Sequence, residues 1–189
     1  MKVLAVSGSP RAYGNTVHML NAVLDVCREA GHETELFQAG GKPVRGCAAC
    51  GGCSVHIGRC AIDDWMNDLY AKMKEADAIV LGSPTYFADL TPEMKAVIDR
   101  CGFVAMRDGR ALSRKIGAAV SAVRRAGGLT TLDAMQRFFL ISDMVIPGST
   151  YWNMSLARDP GAFELDEEGI HTVRRLGENI VWLLEKLNA

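Results

Sequence analysis

Neither sign of charge prevails in this sequence. Its 189 residues carry 21 Lys and Arg against 22 Asp and Glu, for a net charge of -1. Nucleic-acid binders draw affinity from neutralised phosphates, so this balance gives no electrostatic reason to expect nucleic acid. Long apolar runs are missing as well: none approaches the ~20 residues of a membrane span. The opening "MKVLAV" has one lysine, too few apolar residues for a signal peptide, and a loop directly after it. A cytoplasmic protein with no membrane partner is expected. Linkers, internal repeats and low-complexity tracts are also lacking, so residues 1–189 read as one domain of ordinary size, ~100–200 residues. Apolar residues make up 49% and charged residues 23%, which excludes a disordered chain.

Cysteine, by contrast, is plentiful. Six are present, and in a reducing compartment they are expected as thiols, metal ligands or catalytic groups, with disulfides disfavoured.

Apolar runs alternate with helical patterns. Strands are expected at Lys2–Val6, Glu33–Gln38, Asp77–Pro84, Lys115–Val123 and Asp143–Gly148. Helices are expected at Asn15–Ala30, Asp63–Ala76, Thr91–Cys101, Leu129–Ser142 and Asp166–Leu187. Ala39–Cys60 reads as a long loop rich in glycine and cysteine, and Tyr151–Phe163, which has no clear period, as an excursion. Such β–α alternation implies an α/β fold with a parallel sheet and helices on both faces. Five strands suit the doubly wound, flavodoxin-like order, which binds ligands at the carboxyl ends of the central strands.

The first such end is "SGSPRAYGNT", Ser7 to Thr16, between strand and helix. A helix N-terminus offers unpaired N–H groups and partial positive charge, so an anion belongs there. Ser9, Asn15 and Thr16 supply side-chain donors and Arg11 supplies charge. The loop is neither G-x-x-x-x-G-K-[ST] nor G-x-G-x-x-G, which excludes an NTPase P-loop and disfavours a dinucleotide fingerprint. The competing reading is a plain strand–helix connection capped by Asn15 or Thr16. The second end is "GSPTYFADLTPEMKAVIDR". Pro84 and the residues after it form a shelf, and Tyr86 and Phe87 can offer apolar surface to a flat aromatic ligand.

Together these two segments resemble the NADPH-dependent FMN reductase and iron–sulfur flavoprotein superfamily, from Met1 to about Gly148 and more loosely to the end. The resemblance implies a flavodoxin-like fold and noncovalently bound FMN. By position, Ser9, Arg11, Asn15 and Thr16 would hold the 5′-phosphate. Pro84, Thr85, Tyr86 and Phe87 would line the ring and ribityl chain. Gly127 and Gly128, in "VRRAGGLTTL" (Val123–Leu132), would let a third loop approach the ring. Arg124 and Arg125 read as solvated surface residues.

Cys47, Cys50, Cys53 and Cys60 form C-x2-C-x2-C-x6-C. The triplet spacing suits neighbouring corners of an iron–sulfur cubane. Zinc usually takes two separate C-x2-C hooks and fits less well, and His56 can replace one sulfur in either case. The pattern resembles that of iron–sulfur flavoproteins, which carry a [4Fe–4S] cluster beside the flavin. It also resembles flavodoxin-like relatives that keep such cysteines without an established cluster, so a structural or thiol-active loop stays open. Cys27 and Cys101 fall on apolar helical faces and read as inert core thiols.

The expected function is an FMN-dependent oxidoreductase. With a cluster it carries electrons between a ferredoxin-like donor and a small-molecule acceptor such as a quinone or oxygen species. Without one, NAD(P)H is the expected donor, and a quinone, nitro compound or free flavin the acceptor. A different class is a nonenzymatic metal or redox-sensing module built on the cysteine loop. The resemblance also implies a homo-oligomer, dimer or tetramer. The Tyr151–Phe163 segment would then lie at the subunit boundary or cover its own core.

Overall fold

The computed structural model describes residues 1–187. In chain order the elements are β1 (Lys2–Ser7), α1 (Asn15–Glu29), β2 (Glu33–Gln38), α2 (Met66–Glu75), β3 (Ala78–Pro84), α3 (Pro92–Arg107), β4 (Ile116–Val123), α4 (Gly128–Ile141), β5 (Met154–Leu156) and α5 (Glu167–Leu187). The strands form one parallel sheet in the order β2-β1-β3-β4-β5. Its centre is made of the apolar runs: all of β4 is buried, and so is β1 beyond Lys2. Side chains alternate faces along each strand. Val3, Ala5, Ala78 and Val80 therefore pack under α1 and α5, while Leu4, Val6, Ile79 and Leu81 pack under α2, α3 and α4. The chain departs in opposite directions from β1 and β3, which opens a crevice between their carboxyl ends. Both loops singled out in the sequence start there.

The fifth strand is not where the sequence placed it. Asp143–Gly148 makes only a single parallel bridge, Val145 to Ile116. Val145 N–H donates to Lys115 O at 2.9 Å and its own carbonyl accepts from Gly117 N–H at 2.9 Å. The next rung needs an N–H from residue 147, which is proline, so the ladder stops. The chain leaves the sheet and returns at Met154–Leu156, pairing with Ser121–Val123. The true edge strand thus lies inside the segment read as an excursion. A second difference is length: α3 continues past Cys101, through Gly102, to Arg107.

Gly40 follows β2 and packs on the first loop. A Cβ there would lie 2.2 Å from both the carbonyl carbon and oxygen of Ser9. Gln38 Nε2 donates to Ser9 O and, at 3.0 Å, to Gly40 O, locking the two loops together. Gly40→Ala must push backbone aside, at about 2 kcal/mol. A melting temperature about 5 °C lower is expected for a domain of this size. Thermal unfolding checks it against Gly148→Ala, where a Cβ meets nothing within 4 Å.

Candidate functional site

The first loop leaves β1 with Gly8 N–H donating to Gly82 O at 2.8 Å, and Thr91 Oγ1 donates to Gly8 O at 2.9 Å. Gly14 is the N-cap of α1 and no side chain caps the helix. Neither Asn15 nor Thr16 caps the helix. With no side chain at the cap, the positive end of α1 is left for an incoming anion. Ser9 Oγ accepts from Arg11 N–H at 3.2 Å, which sets the turn.

A cavity of about 160 Å³ lies over this end of the helix. Ser9, Arg11, Asn15 and Thr16 line it from the first loop, Pro84 and Tyr86 from the loop after β3. Two further arginines join them. Arg124 follows β4, and Arg158 follows β5. Three arginines and no carboxylate line the space, an arrangement that suits a phosphate dianion. Arg124 is exposed, as expected, yet it borders the cavity, whereas Arg125 does not. Its position at the carboxyl end of a central strand was the available signal. Arg158 gave none, because the strand before it was unrecognised.

Asn15 has a different engagement from the one its position suggested. Its Nδ2 donates to Ala157 O at 3.1 Å and Asp159 O at 2.8 Å, and its Oδ1 accepts from Phe163 N–H at 3.3 Å. The side chain ties the segment after β5 to α1.

The shelf is a tight hairpin. Tyr86 and Asp89 exchange backbone hydrogen bonds of 2.8 and 3.0 Å. Between them Phe87 (φ 49°) and Ala88 (φ 61°) are both left-handed, a primed turn that normally recruits glycine or asparagine. Such strain in non-glycine residues marks a turn held by its surroundings. Gly127 (φ 88°) presses against it, and a Cβ there would sit 2.9 Å from Ala88 Cα. Thr130 Oγ1 donates to Ala88 O, and Thr131 Oγ1 donates to Thr85 Oγ1 at 3.0 Å. Thr85 Oγ1 also lies 3.1 Å from Ser121 Oγ. Gly127, Thr130 and Thr131 thus brace the shelf, whereas Gly128 packs on Met154 and Val123. Tyr86 is half-exposed beside the cavity, and Phe87 is fully exposed and does not line it.

The four clustered cysteines line a second cavity, of about 180 Å³, which shares no residue with the first. Cys47 and Cys50 are exposed, Cys53 and Cys60 half-buried. Among the described residues no three His, Cys, Asp or Glu groups converge closely enough to hold a metal ion. The loop is nonetheless fixed at several points. Asn67 Oδ1 accepts from Cys60 N–H at 2.8 Å, and Trp65 Nε1 donates to Pro43 O at 2.8 Å. Arg100 reaches across from α3. Its Nη1 donates to Asp64 Oδ2 at 2.7 Å and Arg45 O at 3.1 Å, and its Nη2 to Asp64 Oδ1 at 2.7 Å and Ile62 O at 3.2 Å. The hydrogen bonds from Arg100 hold the Asp64 carboxyl below the usual range, against the opposing effect of burial. Arg100 lies on the buried stripe of α3, three residues from Val97 and four from Val104. A lone cation on such a stripe was the sequence signal for it. Burial pushes the Cys27 thiol up to about 11 and the Cys101 thiol up to about 12, in keeping with inert core thiols.

The family model for NADPH-dependent FMN reductase matches residues 1–159. An iron-sulfur flavoprotein of Methanocaldococcus jannaschii is 36% identical over 187 residues, covering 95% of each chain. Another, from Methanosarcina thermophila, is 32% identical and covers 98% of this chain and 96% of its own. Among solved structures, an NAD(P)H:quinone oxidoreductase from Methanothermobacter marburgensis superposes with a TM-score of 0.69 at 15% identity, over 95% of this chain and 96% of its own. A flavodoxin from the domain Archaea superposes at 0.63 with 17% identity, over 98% and 99%. The sheet order agrees with these likenesses. The chain belongs to the NADPH-dependent FMN reductase family and is an FMN-dependent oxidoreductase with a flavodoxin-like fold.

Proposed function

We propose that this oxidoreductase carries electrons between FMN at the three-arginine cavity and a [4Fe–4S] cluster held by Cys47, Cys50, Cys53 and Cys60. The observation that carries the reading is that all four thiols of the C-x2-C-x2-C-x6-C motif border one cavity. Bound FMN supplies exchange of one or two electrons, and a bound cluster supplies exchange of one. The chain's own residues do the placing. Arg11, Arg124, Arg158 and the α1 terminus fix the phosphate. Pro84 and Tyr86 offer one wall to the ring, and the braced turn at Phe87–Ala88 keeps that wall stiff. Gly51 (φ 72°) and Ala49 (φ 50°) turn the loop between cysteines, which suits a tight thiolate cage. The donor is a ferredoxin-like protein, and the acceptor a small quinone or oxygen species. The reducing cytoplasm suits six free thiols.

The open shelf favours a second reading. Tyr86 and Phe87 are uncovered, which leaves room for a nicotinamide to lie on the ring, so NAD(P)H would be the donor. Tyr151 and Trp152 have rings 6.3 Å apart and remain more than half exposed, which supports a homo-oligomer contact there. Among the described residues no helix is long and apolar enough to cross a membrane.

Anaerobic stopped-flow separates the donors. Protein reconstituted with FMN, iron and sulfide is mixed with reduced ferredoxin or with NADPH, and bleaching of the flavin band is timed. Faster bleaching by ferredoxin, lost when iron is removed, is expected. Bleaching by NADPH alone, indifferent to iron, would install the second reading.

A further inference from the structure

The outer side of α3 and α4 carries apolar surface that the sheet does not use. Both helices return the chain from the carboxyl end of one parallel strand to the amino end of the next. They therefore run parallel to each other on one side of the sheet. Met94, Val97, Cys101 and Val104 turn α3 into the core. A second stripe, Ile98, Gly102 and Met106 at four-residue spacing, lines a groove of about 530 Å³ between the two helices. Gly102 and the buried Phe138 meet there: a Cβ on Gly102 would lie 3.3 Å from Phe138 Cε2. On the walls, Phe103 is 50% exposed and Ile141 60%. Large apolar side chains left open side by side mark an interaction surface.

The charges on the lips say what fits. Asp89, Lys95 and Asp99 line the groove on the α3 side and Arg137 on the α4 side. Two acids and two bases balance, so no net sign selects a strongly acidic or basic partner. Their order does select. Asp99 lies three residues before Gly102, and Arg137 one before Phe138. The contact of Gly102 with Phe138 sets the helices level, so acid and base stand on opposite lips within about one turn of each other. Within the chain each is tied only along its own helix, Asp99 to Lys95 and Arg137 to Asp133, the latter at 3.9 Å. The Arg137 side chain is 79% exposed. A two-fold axis through the groove exchanges the lips and reverses the helix direction, which sets each Asp99 against the partner's Arg137. We propose that a second copy of this chain docks two-fold on the α3–α4 groove, with apolar walls meeting and an Asp99–Arg137 pair on each side of the axis. This face is distinct from the edge that carries Tyr151 and Trp152. It adjoins both candidate sites: Asp89 closes the shelf turn, and Phe103 is also a wall of the cysteine cavity. The contact depends on neither the flavin nor anything the cysteines hold.

Charge reversal tests the pairing. Sedimentation equilibrium is run on the full chain with its FMN, as wild type, Asp99→Arg, Arg137→Glu and the double variant. Each single reversal sets like charges together at two symmetry-related places, and a dimer dissociation constant raised at least about tenfold is expected. The double variant restores opposite charges and is expected to return to the wild-type constant. A monomeric wild type overturns the proposal and leaves the groove to some other partner. Single reversals without effect also overturn it, and loss of the dimer in Trp152→Ala would then move the contact to that edge. A double variant no tighter than the singles overturns the pairing. Wild type alone supplies a check that needs no variant to fold. Hydroxyl-radical labelling of Phe103 and Met106 should fall as protein concentration rises through the dimer transition, with Trp182 of α5 as the exposed control. Labelling of Phe103 and Met106 that ignores concentration refutes the contact.

Discussion

Arg11→Ala combined with Arg124→Ala is expected to weaken FMN binding about a hundredfold while leaving riboflavin binding unchanged. Both arginines border the cavity over the first turn of α1, and both are exposed. A charge-assisted hydrogen bond contributes about 1.5–3 kcal/mol, and exposure favours the lower end. Two such contacts give about 3 kcal/mol, or about two decades in affinity. Riboflavin lacks the phosphate, so its affinity reports only the shelf and the ring-facing loops. Flavin fluorescence titration of both ligands against both proteins makes the comparison. A parallel fall for FMN and riboflavin would mean that the double variant damages the shelf. Unchanged FMN affinity would remove the phosphate from this cavity. Raising salt should weaken wild-type binding more than the variant's, since the lost interaction is ionic.

Cys53→Ser should abolish iron binding and leave FMN in place. Cys53 is half-buried in the middle of the single turn Gly52–Ser54, between the two exposed cysteines and Cys60. Serine preserves size and polarity but lacks the soft thiolate that iron–sulfur clusters require. The cavity proposed for FMN shares no residue with the cysteine cavity, so its ligand should be indifferent. Anaerobic reconstitution followed by iron and sulfide analysis gives the answer. Wild type is expected to hold about four irons and the variant close to none, each with a full complement of FMN. If wild type holds no more iron than Cys53→Ser, the NAD(P)H-driven reading replaces the electron carrier. Aerobic samples do not serve this test, because exposed thiolates oxidise.

The parts of the fold visible in the sequence were those fixed by local rules. β1, β3 and β4 are apolar runs because both their faces are covered, and α1 and α5 carry stripes with helical period. The first loop stood out because backbone turning and anion binding both demand small, polar residues there. The hidden parts depend on distance. β5 is three residues long and pairs only with the end of β4, too short for any alternation to show. Pro147 was legible as a residue, but its effect as a missing rung appears only once Val145 is seen opposite Ile116. Arg158 joins the cradle from the far end of the chain. The bonds that Asn15 makes to the carbonyls at residues 157 and 159 were hidden because its place in the motif says nothing of that distant segment. Arg100 meets its partners 36 to 55 residues away, beyond the reach of a local pattern.

The carboxamide of Asn15 gives the first helix two jobs that are thermodynamically linked. The same turn that faces the anion fastens the strap from Ala157 to Phe163, and Arg158 on that strap is a wall of the anion cavity. An anion paired with Arg158 would also hold the short edge strand against β4. An anion bound there would then favour closure of the sheet margin, since a ligand stabilises the form that binds it.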